Sequence, residues 1–145
     1  MFCSRSMNNR MNRLHERALK LVYSNYNTSF EELLQIDQSF SIHHRNIKNL
    51  AIEIYKFIHG YSPAMMSSVF KIKHSLQYSL RNHSELYGRN PKTVRYGTES
   101  IAHLAPKIWS LVPEDIKLSN NLKIFKSKIK KWMPDCPCRL CKTYL

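Results

Sequence analysis

A chain of 145 residues with 23 Lys and Arg against 10 Asp and Glu, a formal charge of +13, is long enough for one domain with a real core. Its charge draws it to polyanions, or is merely solvated. With 43% hydrophobic residues it is too apolar for disorder throughout, yet no run approaches the ~18 apolar residues of a membrane span, and residues 1–6 lack the apolar segment of a secretory signal. An intracellular compartment, nucleus or cytoplasm, is therefore expected. Thiols stay reduced there, so the four cysteines read as thiols or metal ligands rather than disulfides.

A flexible N-terminus is expected over residues 1–10, although helical periodicity begins at Met7. From Met7 to Tyr23, Met11, Leu14, Ala18, Leu21 and Val22 make an apolar stripe, with Arg10, Arg13, Arg17 and Lys20 off it. That basic face is either solvated or meets phosphates; spacing alone does not separate the two. A polar loop follows. Ser29 and Glu32 then have the spacing of a capping box, predicting a short helix to about Gln35.

Ser39 or Ser41 opens a longer helix to His59. Ile47, Leu50, Ala51, Ile54 and Ile58 recur at helical spacing, and Tyr55 and Phe57 widen the face. Gly60 stands where a helix-ending glycine belongs. His43 and His44 invite a metal reading, but neighbours on a helix point about 100° apart. Pro63, behind Ser62 as cap, predicts another short helix to about Phe70, with Met65, Met66, Val69 and Phe70 as core.

Between Lys71 and Thr98 the helical pattern lapses. Leu76, Tyr78 and Leu80 alternate, and Gly88, Asn90-Pro91 and Gly97 punctuate, so a hairpin or irregular insert is expected over about 71–98. Arg81, Arg89, Lys92 and Arg95 with Tyr78, Tyr87 and Tyr96 would suit a single-stranded nucleic acid; tyrosines packed on a helical core fit the same residues. Ser100 caps a helix through Leu111, bent or broken near Pro106, and Glu114-Asp115 reads as an acidic first turn.

The last helix runs from a cap at Ser119 to Met133-Pro134. Leu122, Phe125, Ile129 and Trp132 form its stripe; Lys123, Lys126, Lys128, Lys130 and Lys131 fill the rest. A cysteine tail, 134–145, closes the chain. Cys136, Cys138 and Cys141 offer thiolates to Zn, with no fourth ligand nearby, and Arg139 and Lys142 add charge. The expected fold is mainly α: one small helical domain over 11–133 with the insert and the tail.

No Gly-rich phosphate loop, nucleophile elbow or H-E-x-x-H is present, and no carboxylates cluster as two-metal chemistry needs. No enzyme and no small-molecule substrate are expected.

Several segments taken in order resemble one family. They are R-A-L-K-L-V-Y (17–23), S-F-E-E-L-L (29–34), I-H-H-R-N-I-K-N-L-A-I-E-I-Y-K (42–56), G-Y-S-P (60–63), Y-S-L-R-N (78–82), V-R-Y-G-T-E-S-I (94–101), P-K-I-W-S-L-V-P (106–113), F-K-S-K-I-K-K-W (125–132) and C-P-C-R-L-C-K (136–142). Together they resemble the C-terminal region of reverse transcriptases from non-LTR, LINE-type, jockey-like retrotransposons. The resemblance implies a non-catalytic fragment of an RNA-directed DNA polymerase, without the polymerase box or the endonuclease residues. It implies a module that grips RNA or DNA. On the charge of this chain, binding is expected to be mostly electrostatic, through Lys126, Lys128, Lys130, Lys131, Arg139 and Lys142, with the Arg10 to Lys20 face assisting. The cysteine tail resembles that family's nucleic-acid-binding knuckles but lacks a complete C-C-H-C set. A scaffold segment docking on the rest of the reverse transcriptase, or an inert fragment of a decayed element, is the alternative expectation.

Overall fold

The computed structural model describes residues 5–71, 86, 93 and 100–135. Six α-helices and one 3-10 turn are present among them, and no strand: α1 (Arg5–Tyr23), α2 (Phe30–Ile36), α3 (Ile42–Ile58), the 3-10 turn (Ala64–Ser68), α4 (Ile101–Leu111), α5 (Glu114–Lys117) and α6 (Leu122–Lys131). The insert expected at 71–98 and the tail beyond Asp135 lie almost wholly outside the described residues. α1 starts at Arg5, so residues 5–10 of the expected flexible terminus are helical. The chain forms two compact units divided between Asn46 and Ile47.

Local chemistry sets the helix ends. At α2 the capping box closes as its spacing requires: Ser29 Oγ accepts from the Glu32 N–H at 3.3 Å, and Glu32 Oε2 accepts from the Ser29 N–H at 3.0 Å. Ser41, rather than Ser39, faces the start of α3, accepting from the His44 N–H at 3.4 Å. α3 ends with the Gly60 N–H on the Phe57 carbonyl (3.2 Å) and the Tyr61 N–H on the Lys56 carbonyl (2.7 Å), a Schellman motif with Gly60 at φ +74°. The same paired bonds end α1 around Ser24 and α2 around Gln38. Those residues hold φ of 50° and 52° and bear a side chain in a region that favours glycine.

In the first unit α1 packs against α2. The Tyr23 hydroxyl donates to Asp37 Oδ1 at 2.9 Å. His15 meets the Phe30 ring edge-on, centroids 5.6 Å apart, and Arg45 Nη2 donates to His15 Nε2 at 3.4 Å. Burial, then the Arg45 charge, hold the His15 pKa below its ordinary value. The apolar side chains buried here, among the described residues, are Leu19 and Leu33 alone. Two leucines cover little, and a seven-residue α2 spans one arc of α1. The expected stripe is therefore corrected. Leu14, Ala18, Leu21 and Val22 are exposed and Met11 is half-buried, while Asn8, Asn12 and Leu19 are buried.

The second unit has the larger core. Ile47, Leu50, Ala51, Ile54 and Tyr55 are buried at i, i+3, i+4, i+7 and i+8 on α3, so the predicted stripe holds through Ile54, with Tyr55 joining it, whereas Ile58 and Phe57 are half-buried. Tyr55 stacks between His59 (3.9 Å) and Phe125 (4.0 Å), and Trp109 lies 6.2 Å from Phe125. The Tyr55 hydroxyl donates to the Ser119 carbonyl; burial raises its pKa. α4 continues unbroken through Pro106, which removes one donor in the second turn, because buried Ala105, Ile108 and Trp109 anchor the helix around it. Ile101, Leu104 and Leu111 are only half-buried.

Three further expectations change. Ser119 does not cap the last helix: it is buried, its hydroxyl donates to the Ile116 carbonyl at 2.6 Å, and Asn121 Oδ1 instead accepts from the Ile124 N–H at 2.8 Å. Ser62 makes no cap, and the segment after Pro63 is a 3-10 turn that stops at Ser68. Phe70 alone of its proposed core is fully buried, packing on Phe57 at 5.4 Å, whereas Met65 is exposed.

Candidate nucleic-acid interface

α6 places its lysines by simple periodicity. With Phe125 and Ile129 buried, a 100° step puts Lys123, Lys126 and Lys130 along one flank and Lys128 and Lys131 along the other. All five are exposed. Lys128 is partly committed, since its Nζ donates to the Asp115 carbonyl at 2.7 Å. Lys123, Lys126, Lys130 and Lys131 form no ion pair among the described residues. Glu53 pairs with Lys56 at 2.7 Å and Glu114 with Lys117 at 2.9 Å, while exposed Asp115 and Asp135 form no ion pair with these lysines.

The charges also suit the helix itself. Lys128, Lys130 and Lys131 occupy the last turn of α6, where the helix dipole favours cations. Lys48 reinforces that end from α3: its side chain is buried, and its Nζ donates to the Lys130 carbonyl at 2.9 Å. Burial pushes its pKa down to about 8. Sequence reasoning missed Lys48. Its only signal is a lysine beside Ile47 inside an otherwise apolar stripe.

On α1, Arg10, Arg13 and Arg17 are exposed and lie on one side of the helix at i, i+3 and i+7. They too form no ion pair among the described residues. Lys20 differs, being half-buried and bound to Glu16 at 2.7 Å. The α1 and α6 cations belong to different units.

Arg139 and Lys142, the ligand candidates Cys136, Cys138 and Cys141, and the Arg and Tyr residues of the insert lie outside the described residues. Among those described, no group of three or more His, Cys, Asp or Glu side chains comes together, and no helix is long and apolar enough to cross a membrane. The His43 and His44 rings lie 6.0 Å apart. No family model, curated protein or solved structure matches the chain.

Proposed function

We propose that the chain is a non-catalytic module that binds RNA or DNA by its phosphates, as the C-terminal part of a LINE-type reverse transcriptase would. The observation that carries this reading is the row Lys123, Lys126 and Lys130 on one flank of α6, exposed and in no ion pair among the described residues. A row of this kind neutralises phosphates and releases counterions. Arg10, Arg13 and Arg17 add a cationic face on α1, and Lys128, Lys131, Arg139 and Lys142 extend the α6 row in sequence. The reading does not depend on zinc: Cys136, Cys138 and Cys141 supply three thiolates where a structural site takes four ligands.

The test is a titration of the full chain against labelled single-stranded RNA and duplex DNA over a salt series. Four phosphate contacts give a log–log slope of about −3 for a single strand and about −3.6 for a duplex. Replacing Lys126 and Lys130 by Gln should flatten the slope by about 1.4 and 1.8 respectively. Gln is the right substituent because Glu in the last turn would also oppose the helix dipole. Absence of binding at low salt, or an unchanged slope in the double variant, removes α6 from the account.

A further inference from the structure

The exposed side of α1 carries a pattern that phosphate binding does not need. Met7, Met11, Leu14, Ala18 and Leu21 recur at spacings of four, three, four and three, the repeat of a coiled-coil seam. Leu14 and Leu21 are 64% and 66% exposed, and Val22 beside them 73%. On a 100° wheel the seam and Val22 cover an arc of about 100°. Arg10, Arg13 and Arg17 border that arc on one side; buried Asn8, Asn12 and Leu19 border it on the other. The helix therefore presents an open apolar strip with one cationic margin.

We propose that this strip docks an amphipathic helix of a partner chain, with an apolar seam of the same repeat and acidic residues along the edge facing Arg10, Arg13 and Arg17. The charge pattern selects the occupant. A second copy of this chain fits poorly. Antiparallel copies set Arg10 and Arg17 against their own counterparts, and parallel copies set them against His15 and Val22, with no acid in reach. Glu16, the acidic residue of α1, is held by Lys20. A lipid surface also fits poorly, since it has no use for a 3.5-residue repeat and is met by basic residues on both margins of an apolar face. Here one margin is buried.

The probe is a synthetic helix of about three heptads with Leu at the seam and Glu on the flanks, titrated into the full chain. Its controls are the same helix with Lys flanks, phosphatidylserine vesicles, and sedimentation of the chain alone. The Glu-flanked helix should bind. Leu14→Gln with Leu21→Gln should weaken it at least about tenfold, leaving the thermal unfolding of the chain and its RNA affinity unchanged. Arg13→Gln with Arg17→Gln should weaken it too and flatten its salt dependence. The proposal is overturned if the Glu-flanked helix does not bind, if the Lys-flanked helix binds equally, or if binding survives the leucine changes. It is equally overturned if the face instead holds vesicles or a second copy, or if the leucine changes unfold the chain.

Discussion

Replacing Lys48 by Met removes one buried ammonium while keeping the length of its apolar stem. In the folded chain that ammonium has a pKa of about 8 against an ordinary 10.5. Below pH 8 folded and unfolded chains both hold the proton, and stability is insensitive to it. Between 8 and 10.5 the unfolded chain keeps a proton the folded chain has shed, so stability rises with pH. At 1.36 kcal/mol per pH unit the ceiling is about 3 kcal/mol; allowing for solvent screening at the ammonium, a rise of about 1–2 kcal/mol is expected. The Met variant lacks that rise. It should therefore gain on the parent at pH 7, less about 1 kcal/mol for the hydrogen bond lost at the Lys130 carbonyl, and forfeit the relative gain by pH 10. Urea unfolding followed by circular dichroism at pH 7, 8, 9 and 10 measures the difference directly. Comparing parent with variant at each pH removes every contribution the two share. A parent-to-variant difference that stays flat from pH 8 to 10 refutes the burial argument.

Gln38→Gly should stabilise the chain by about 1 kcal/mol, because it relieves a left-handed residue at a Schellman position; urea midpoints of parent and variant check it, and no gain means that Gln38 contributes contacts of its own. Tyr55→Phe keeps the stack on Phe125 and His59 but leaves the Ser119 carbonyl without its donor. It should cost about 1–2 kcal/mol, read as a lower melting temperature, and an unshifted melt would mean water replaces the hydroxyl.

Legibility in the sequence tracked how local each determinant was. The Ser29–Glu32 box, the Gly60 stop and the α3 stripe through Ile54 involve neighbours within a turn or two, and they stand where spacing puts them. α1 failed differently. Its helix was readable, but which face is buried depends on what packs against it, and α2 is too short to cover the apolar stripe. Ser119 looked like a cap because serine suits one. Its carbonyl instead receives the Tyr55 hydroxyl, sixty-four positions away, and nothing local announces that bond. Of the candidate site, the α6 lysines were legible from periodicity, while Lys48, reaching eighty-two positions along the chain to the end of α6, was not.

The division of the chain also decides what a spectroscopist sees. Both tryptophans, Trp109 and Trp132, lie between residues 47 and 136, so indole emission reports from within that unit. Far-UV ellipticity has large contributions from α1, 19 residues long, and α3, 17. A melt recorded with both probes thus becomes a test of cooperativity: coincident curves mean the two units unfold as one block, and separated curves mean that α1 melts on its own schedule.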